Sequence, residues 1–225
     1  MKNDPYIILK EQITAAAQAS GRLSNDITLV AVTKTIPWEN CSRLYDCGQR
    51  DFGEGRLAEA LKRKEVAPPD CRWHFIGTLQ SNKVRKAIGQ FALIHSVDTL
   101  PLARKIAQCS IEAELTTKIL LQVNVSMEAS KHGFSIEELK QNYEEIVSLK
   151  GISVEGLMTM APAGATEDEA RYCFASLRHF RDELKERSPP TAPMNELSMG
   201  MSQDFLQAIA EGATIVRVGS RLHQT

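Results

Sequence analysis

The sequence has no long apolar run, no Cys-x-x-Cys pair and no excess of charge of one sign. No stretch reaches the roughly 18 apolar residues of a membrane-spanning helix, and the first residues lack the apolar core and cleavage site of a signal peptide. The 27 Lys and Arg residues nearly balance the 28 Asp and Glu residues, which argues against a nucleic-acid or membrane-surface partner. The five cysteines predict reduced thiols rather than a disulfide framework or a metal site. We therefore predict a cytoplasmic protein.

The first structural element is a predicted helix that stands ahead of a regular pattern. Asp4 is its predicted N-cap, Pro5 its first residue and Gly21 its end. Behind it, short apolar segments that are typical of strands alternate with helical patterns. The predicted strands are 28–34, 51–54, 73–79, 92–98, 118–126, 152–160, 196–202 and 214–220.

This alternation predicts an α/β fold. Short strands that are apolar on both faces, with a helix between each pair, indicate a parallel sheet that is covered on both sides. Eight such units in 225 residues favour a closed (β/α)₈ TIM-type barrel over the alternative, an open doubly wound sheet. No linker or repeat interrupts the pattern, so we predict a single domain over residues 1–225 with an extra N-terminal helix.

A single lysine, Lys34, ends the first predicted strand in the segment ITLVAVTKTIPWE. Functional residues of such barrels lie at the carboxyl ends of the strands. One interpretation is that Lys34 extends its ammonium group into solvent. The other is that an amine among apolar neighbours has a lowered pKa and becomes a nucleophile towards carbonyl compounds.

Glycine and serine residues follow the last two predicted strands, in the segments LSMGMSQD and VRVGS. Backbone N–H groups that glycine exposes at the start of a helix bind phosphate, and phosphate sites after strands seven and eight recur in this fold. The alternative is that these residues only suit tight turns. Together with Lys34, the pattern predicts a phosphorylated aldehyde held as a Schiff base, and pyridoxal 5′-phosphate (PLP) is the cofactor with those groups.

Arg217 lies inside an apolar strand, where a charged side chain needs a partner. Facing a pyridine nitrogen, it would donate a hydrogen bond and keep the ring unprotonated, which makes a weaker electron sink than an aspartate partner would. The alternative is an ion pair with a carboxylate of a neighbouring strand, such as Glu54 or Glu155.

Eight segments, in order, resemble the pyridoxal phosphate homeostasis protein family: VAVTKT, DFGEGRLAEA, WHFIGTLQSNKVRK, IHSVD, LLQVNVSMEASKHGF, GLMTMAP, LSMGMSQD and TIVRVGS. The resemblance covers about residues 27–220. It implies a PLP-binding barrel like the N-terminal domain of alanine racemase, and a role in vitamin B6 homeostasis without an established reaction. It also implies Lys34 as the Schiff-base lysine, with cofactor contacts from Met158, Ser198, Met199, Gly200, Ser202, Arg217, Gly219 and Ser220.

The sequence departs from the family pattern near the predicted site. The family usually has FGEN, whose asparagine lies near the cofactor ring, whereas this chain has Gly55 there and Ala58 in place of a glutamine. No ring contact is therefore expected from residue 55. Ser220 stands where threonine is common and keeps the hydroxyl. The final RLHQT lacks the usual small and aromatic continuation, so the resemblance gives no prediction for the segment that closes the barrel.

Several cations outside this set have two interpretations. Lys83, Arg85 and Lys86 follow His74 in HFIGTLQSNKVRK and form either a solvated helix face or an anion or partner site. His74 is expected at the start of its strand, away from the chemistry, and is not assigned as a general base. Lys131, in the loop after strand five, is a candidate for a second phosphate or PLP site.

Two main functions fit these residues. The first is a carrier that holds PLP and passes it to apo PLP-dependent enzymes, and the alternative is a PLP-dependent amino-acid racemase of low activity. Two-base racemisation needs a second acid/base, which in alanine racemase is a tyrosine of a C-terminal domain. This chain ends at strand eight, and its tyrosines lie in predicted helices, at positions 6, 45, 143 and 172.

A third reading, an aldolase barrel that uses Lys34, gives Arg217 no role. We therefore predict a PLP carrier rather than an enzyme. We also predict a monomer, because the sequence shows no large apolar surface.

Overall fold

Eight parallel strands form a closed barrel at the centre of the molecule, in a computed structural model that describes residues 4–33, 36–126, 128 and 132–222. Each strand pairs with the next along the chain, and the last pairs with the first. The predicted barrel is therefore confirmed, and the open sheet is wrong. The strands are β1 (Thr28–Val32), β2 (Asp51–Glu54), β3 (Arg72–Phe75), β4 (Leu93–Val97), β5 (Thr117–Gln122), β6 (Ile152–Met158), β7 (Glu196–Ser198) and β8 (Ile215–Val218).

Helices surround the barrel, and the first of them precedes β1 as predicted. The Asp4 carboxylate accepts a hydrogen bond from the Tyr6 N–H at 2.9 Å, and Pro5 opens the helix. This helix buries Leu9 and Ile13 and packs against the last helix of the chain. The helices are α1 (Pro5–Ala19), α2 (Trp38–Asp46), α3 (Leu57–Val66), α4 (Val84–Ala87), α5 (Leu100–Glu112), α6 (Ile136–Ser148), α7 (Glu167–Lys185) and α8 (Phe205–Ala210).

The core has two parts that lie on opposite faces of the strands. Side chains that point outwards pack against the helices in one large apolar cluster. Those that point inwards form a small apolar cluster inside the barrel, which consists of Val30, Leu93, Leu120, Met158 and Ile215. Side chains alternate along a strand. His95 lies two residues after Leu93 on β4, and Arg217 lies two residues after Ile215 on β8, so both also point into the barrel.

The strands end earlier than the sequence predicts. The predicted strand 73–79 ends at Phe75, and those at 152–160 and 196–202 end at Met158 and Ser198. After β3 the backbone crosses the loop that follows β2 so closely that a Cβ on Gly77 would lie 2.1 Å from the Gly55 carbonyl oxygen. The residues after the strands are therefore loops that surround the carboxyl-end mouth of the barrel.

His74 is the third residue of β3, since that strand begins at Arg72. The sequence predicts that it lies away from the chemistry; in the structure, hydrogen bonds connect it through His95 in the barrel interior to Ser198.

No helix in the described part of the chain is long and apolar enough to cross a membrane. The same residues contain no group of three or more His, Cys, Asp or Glu side chains arranged to hold a metal ion.

Candidate cofactor site at the barrel mouth

A cavity of about 880 Å³ opens at the carboxyl end of the barrel. Of the predicted site residues, Met158, Ser202, Arg217, Gly219 and Ser220 line it. Lys34 lies outside the described residues. Val32 and Ile36, which precede and follow it in the sequence, both line the cavity.

Three other predicted site residues lie beneath the cavity surface. Ser198 is buried at the end of β7, where its hydroxyl bonds to side chains inside the barrel. The Met199 side chain is buried in the outer apolar cluster, so it cannot contact a ligand in the cavity. Gly200 has φ +92°, and a Cβ there would lie 2.5 Å from the Ala208 Cβ, so this position requires glycine for its backbone and its packing.

Arg217 forms the floor of the cavity and is only 4% exposed. Its guanidinium donates to the Ser198 Oγ at 2.6 Å and to the Thr159 carbonyl oxygen at 2.8 Å. Burial lowers the pKa of Arg217 to about 10, so the side chain is still charged at neutral pH.

The ion pair that the sequence offered for Arg217 as an alternative is not formed. Glu54 pairs with Arg63 at 3.1 Å, and Glu155 accepts a hydrogen bond from the Ser153 hydroxyl at 2.9 Å. No carboxylate of the described residues pairs with Arg217, which is held by neutral acceptors. The charge of the Asp204 carboxylate, which also lines the cavity, partly opposes the effect of burial on the pKa of Arg217. A buried cation without a direct ion pair is costly, so a ligand that supplies an acceptor or a negative charge would stabilise it.

Two turns at one edge of the cavity present backbone N–H groups. The Gly219 N–H donates to the Ser202 Oγ at 3.2 Å and joins the turns to each other. Within the described part of the chain, no acceptor is found for four backbone N–H groups here, those of Ser202, Gln203, Ser220 and Arg221. Three of these residues, Ser202, Gln203 and Ser220, line the cavity, and backbone N–H groups in such turns are suited to phosphate oxygens.

The helix that follows β7 contributes less to this edge than the sequence predicts. Helix α8 begins at Phe205 and has 6 residues, so its start lies beyond Ser202. The Met201 N–H is already taken by the Asp204 carboxylate at 2.6 Å. The anion-binding character of this edge therefore comes from the turns themselves and not from a helix dipole.

The chain is held on both sides of residues 34 and 35. The Thr33 Oγ1 donates to the Glu54 Oε1 at 3.0 Å, and that carboxylate pairs with Arg63. The Arg63 guanidinium also donates to the Ile36 carbonyl oxygen. The sequence analysis missed this role of Arg63. A fully buried Glu54 needs a cation, but nothing in the sequence shows that it comes from α3.

A line of polar groups inside the barrel was also missed. It contains His95 and Asp51, which the sequence analysis did not single out, together with His74. Burial, followed by the charges of His74 and Arg217, lowers the pKa of His95 well below its usual value. An alternation of inward and outward residues along β4 is the signal that could have placed His95 inside.

The other cations noted in the sequence lie elsewhere. Arg85 forms an exposed ion pair with Glu112 at 2.6 Å, as expected for a solvated face. Lys131 lies outside the described residues. Near that loop, His132 pairs with Asp98 at 3.4 Å.

The fold and this site define a class: a barrel of the kind found in the N-terminal domain of alanine racemase. The family model described as "Alanine racemase, N-terminal domain" matches residues 9–224 of the chain. A more specific relationship comes from whole-length relatives. The pyridoxal phosphate homeostasis protein of Aquifex aeolicus is 41% identical over 213 residues, which cover 94% of this chain and 92% of that protein. The chain belongs to the pyridoxal phosphate homeostasis protein family.

Solved structures agree with this assignment. PipY of Synechococcus elongatus without PLP is 37% identical, with a TM-score of 0.86, and the match covers 96% of this chain and 99% of that one. PipY with PLP bound is 36% identical, with a TM-score of 0.83, and the match covers 94% of this chain and 100% of that one.

Proposed function

We propose that this chain is a single PLP-binding domain that holds the cofactor at the barrel mouth as a Schiff base on Lys34 and serves PLP homeostasis. The observation that carries the proposal is Arg217, a buried guanidinium on the cavity floor that has only neutral acceptors among the described residues. The choice of PLP is supported by relatives named pyridoxal phosphate homeostasis protein and by PipY, whose structure has PLP bound.

The cavity offers partners for the phosphate and for the ring nitrogen of PLP. The backbone N–H groups of Ser202, Gln203, Ser220 and Arg221 suit a phosphate. Arg217 keeps N–H groups beyond the two that bond to protein, and these suit a pyridine nitrogen. A volume of about 880 Å³ is ample for a small cofactor.

Apolar walls complete the fit. Val32, Ile36 and Met158 line the cavity, which suits the flat face of a pyridine ring. Lys34 would act as the amine. Its nitrogen bonds to the aldehyde carbon, a C=N bond forms and water leaves. The reaction needs an unprotonated amine, and a cation such as Arg217 in the same cavity favours that form.

Holding the cofactor fits these residues better than turning over a substrate. An arginine beside the ring nitrogen leaves the ring neutral and limits its capacity as an electron sink. The four tyrosines lie in α1, α2, α6 and α7, as predicted from the sequence, and none of them lines the cavity. The proposal extends to a cytoplasmic monomer that transfers PLP to apo-enzymes, because a Schiff base is reversible. Racemisation at low activity is the alternative.

An absorption experiment tests the proposal. The protein is mixed with PLP, its visible spectrum is recorded, and borohydride is added to reduce the C=N bond. We expect a yellow band that borohydride converts into a permanent adduct, and we expect Lys34→Ala to abolish both. Lys118→Ala is the matched control, because Lys118 is an exposed lysine at the amino end of β5. Wild-type protein without a band at saturating PLP contradicts the proposal.

The carrier and the racemase are then separated with the same protein. PLP-loaded protein is mixed in turn with L-alanine and with an apo PLP-dependent enzyme. Recovery of enzyme activity without loss of optical rotation supports the carrier. Steady racemisation that Lys34→Ala removes supports the alternative.

A further inference from the structure

A continuous line of hydrogen-bonded side chains passes through the barrel interior and ends at Arg217. From the mouth inwards, Arg217 donates to the Ser198 Oγ, which lies 2.8 Å from the His95 Nδ1. The His95 Nε2 is 2.9 Å from the His74 Nδ1. At the far end, the His74 Nε2 is 3.1 Å from the Asp51 Oδ1.

The line connects the two ends of the barrel. Arg217 lines the mouth cavity, whereas Asp51 lines a separate polar cavity of about 260 Å³ at the amino end, beside Arg72. Branched apolar side chains usually fill the interior of such barrels. Here they fill only part of it, and a buried polar network is retained at a cost that its hydrogen bonds must offset.

When His74 is neutral, the carboxylate at the far end fixes the direction of every hydrogen bond. Burial raises the pKa of Asp51, but hydrogen bonds from His74 and Arg72 outweigh this effect. The pKa of Asp51 is therefore lower than usual, and the side chain is ionised. It can therefore only accept, and His74 must carry its proton on Nε2. The His74 Nδ1 is then an acceptor for a proton on the His95 Nε2.

The same constraint sets the direction of the hydrogen bonds between His95, Ser198 and Arg217. With its proton on Nε2, His95 presents Nδ1 as an acceptor, and the Ser198 hydroxyl must donate to it. The oxygen lone pairs of Ser198 are then left for Arg217. The opposite direction would leave the His74 Nε2 as an acceptor that faces a carboxylate, unless His74 carried two protons.

We infer that Asp51, which also pairs with Arg72, acts with His74 and His95 to position Ser198: the line turns the hydroxyl proton towards His95 and the oxygen lone pairs towards Arg217. Each neutral group in the line is polarised by the next one. The role at the ring nitrogen depends on the proposed function. The direction of the hydrogen bonds does not.

Histidine nitrogen chemical shifts test the direction in protein without ligand. Protein labelled with ¹⁵N histidine is examined at neutral pH by NMR, which distinguishes a proton on Nδ1 from one on Nε2. We expect the Nε2 of His74 and the Nε2 of His95 each to carry a proton, and the Nδ1 of His95 to carry none. Exposed His179 serves as an internal reference. A proton on the Nδ1 of His95 overturns the inference without the need for any variant.

Two variants make opposite predictions about the line. Asp51→Asn removes the charge that sets the direction, so we expect the proton of each histidine to be shared between its two ring nitrogens. Ser198→Ala removes a group at the other end, so we expect each histidine to keep its proton on Nε2. Asp70→Asn, which changes an exposed aspartate that pairs with Arg50, is the matched control and should leave the shifts unchanged. Unaltered shifts in folded Asp51→Asn overturn the inference.

PLP affinity then tests the consequence for the site. Ser198→Ala removes one hydrogen bond that holds Arg217, which predicts a dissociation constant about fivefold higher. Asp51→Asn leaves that bond but no longer fixes the Ser198 hydroxyl, so we expect a smaller rise, and no change for Asp70→Asn. Unchanged affinity in both variants contradicts the positioning role. If PLP fails to bind the wild type but the shifts are as expected, the line stands and the proposed function fails.

Discussion

Replacing Arg217 by methionine separates a functional role of this residue from a structural one. Burial lowers the pKa of Arg217 to about 10 in the folded protein, and one pKa unit corresponds to about 1.4 kcal/mol, so burial disfavours the charged form by roughly 3 kcal/mol. Methionine removes this cost, but it also removes two hydrogen bonds from a charged donor, each of which contributes about 1.5–3 kcal/mol. The opposing terms nearly cancel.

We therefore expect the free energy of unfolding of Arg217→Met without ligand to lie within about 2 kcal/mol of the wild-type value. PLP affinity should fall at least about tenfold, because the ring nitrogen loses a charged donor. Urea denaturation of the ligand-free protein measures the first quantity, and a PLP titration measures the second. A strongly destabilised variant that still binds PLP as the wild type does would refute the reasoning, because Arg217 would then be structural.

Three further substitutions test the residues around the site. Arg63→Leu removes the cation that pairs with buried Glu54 at 3.1 Å, so urea denaturation should show a loss of about 3–5 kcal/mol, and a loss below about 1 kcal/mol would contradict the role of the pair. Gly55→Asn should fold normally, since a Cβ there meets only the Gly77 Cα at 3.9 Å. If the asparagine contacts the ring, a titration will show tighter PLP binding. Gly200→Ala forces a contact with Ala208 and should lower the melting temperature more than Gly164→Ala, which is strained by its φ of +74° but has open space around it.

The barrel could be predicted from the sequence because its signal is local. Apolar strands and helices alternate along the chain, and each strand pairs with its neighbour in sequence. The strand ends could not be predicted, because they depend on contacts between loops. The close approach of Gly77 to Gly55 ends β3 early, although the sequence FIGTL continues to favour a strand there.

The part of the cavity lining that comes from the segments after β7 and β8 was predictable. Ser202, Gly219 and Ser220 were recognised from glycine and serine near strand ends, and the structure brings them to one cavity. The hydrogen-bonded line that leads from Arg217 through Ser198 to His95 was not recognised. Ser198 and His95 lie on β7 and β4, 103 residues apart in the chain, and the sequence does not show which inward side chains meet across a barrel.

The identity of the lysine that holds PLP is the most direct test of the account. Protein mixed with PLP is reduced with borohydride and digested, and the modified peptide is identified by mass spectrometry. The account predicts a single major adduct on Lys34, and the same adduct in Lys118→Ala. An adduct spread over surface lysines, with no preference for Lys34, would contradict a cofactor site at the barrel mouth.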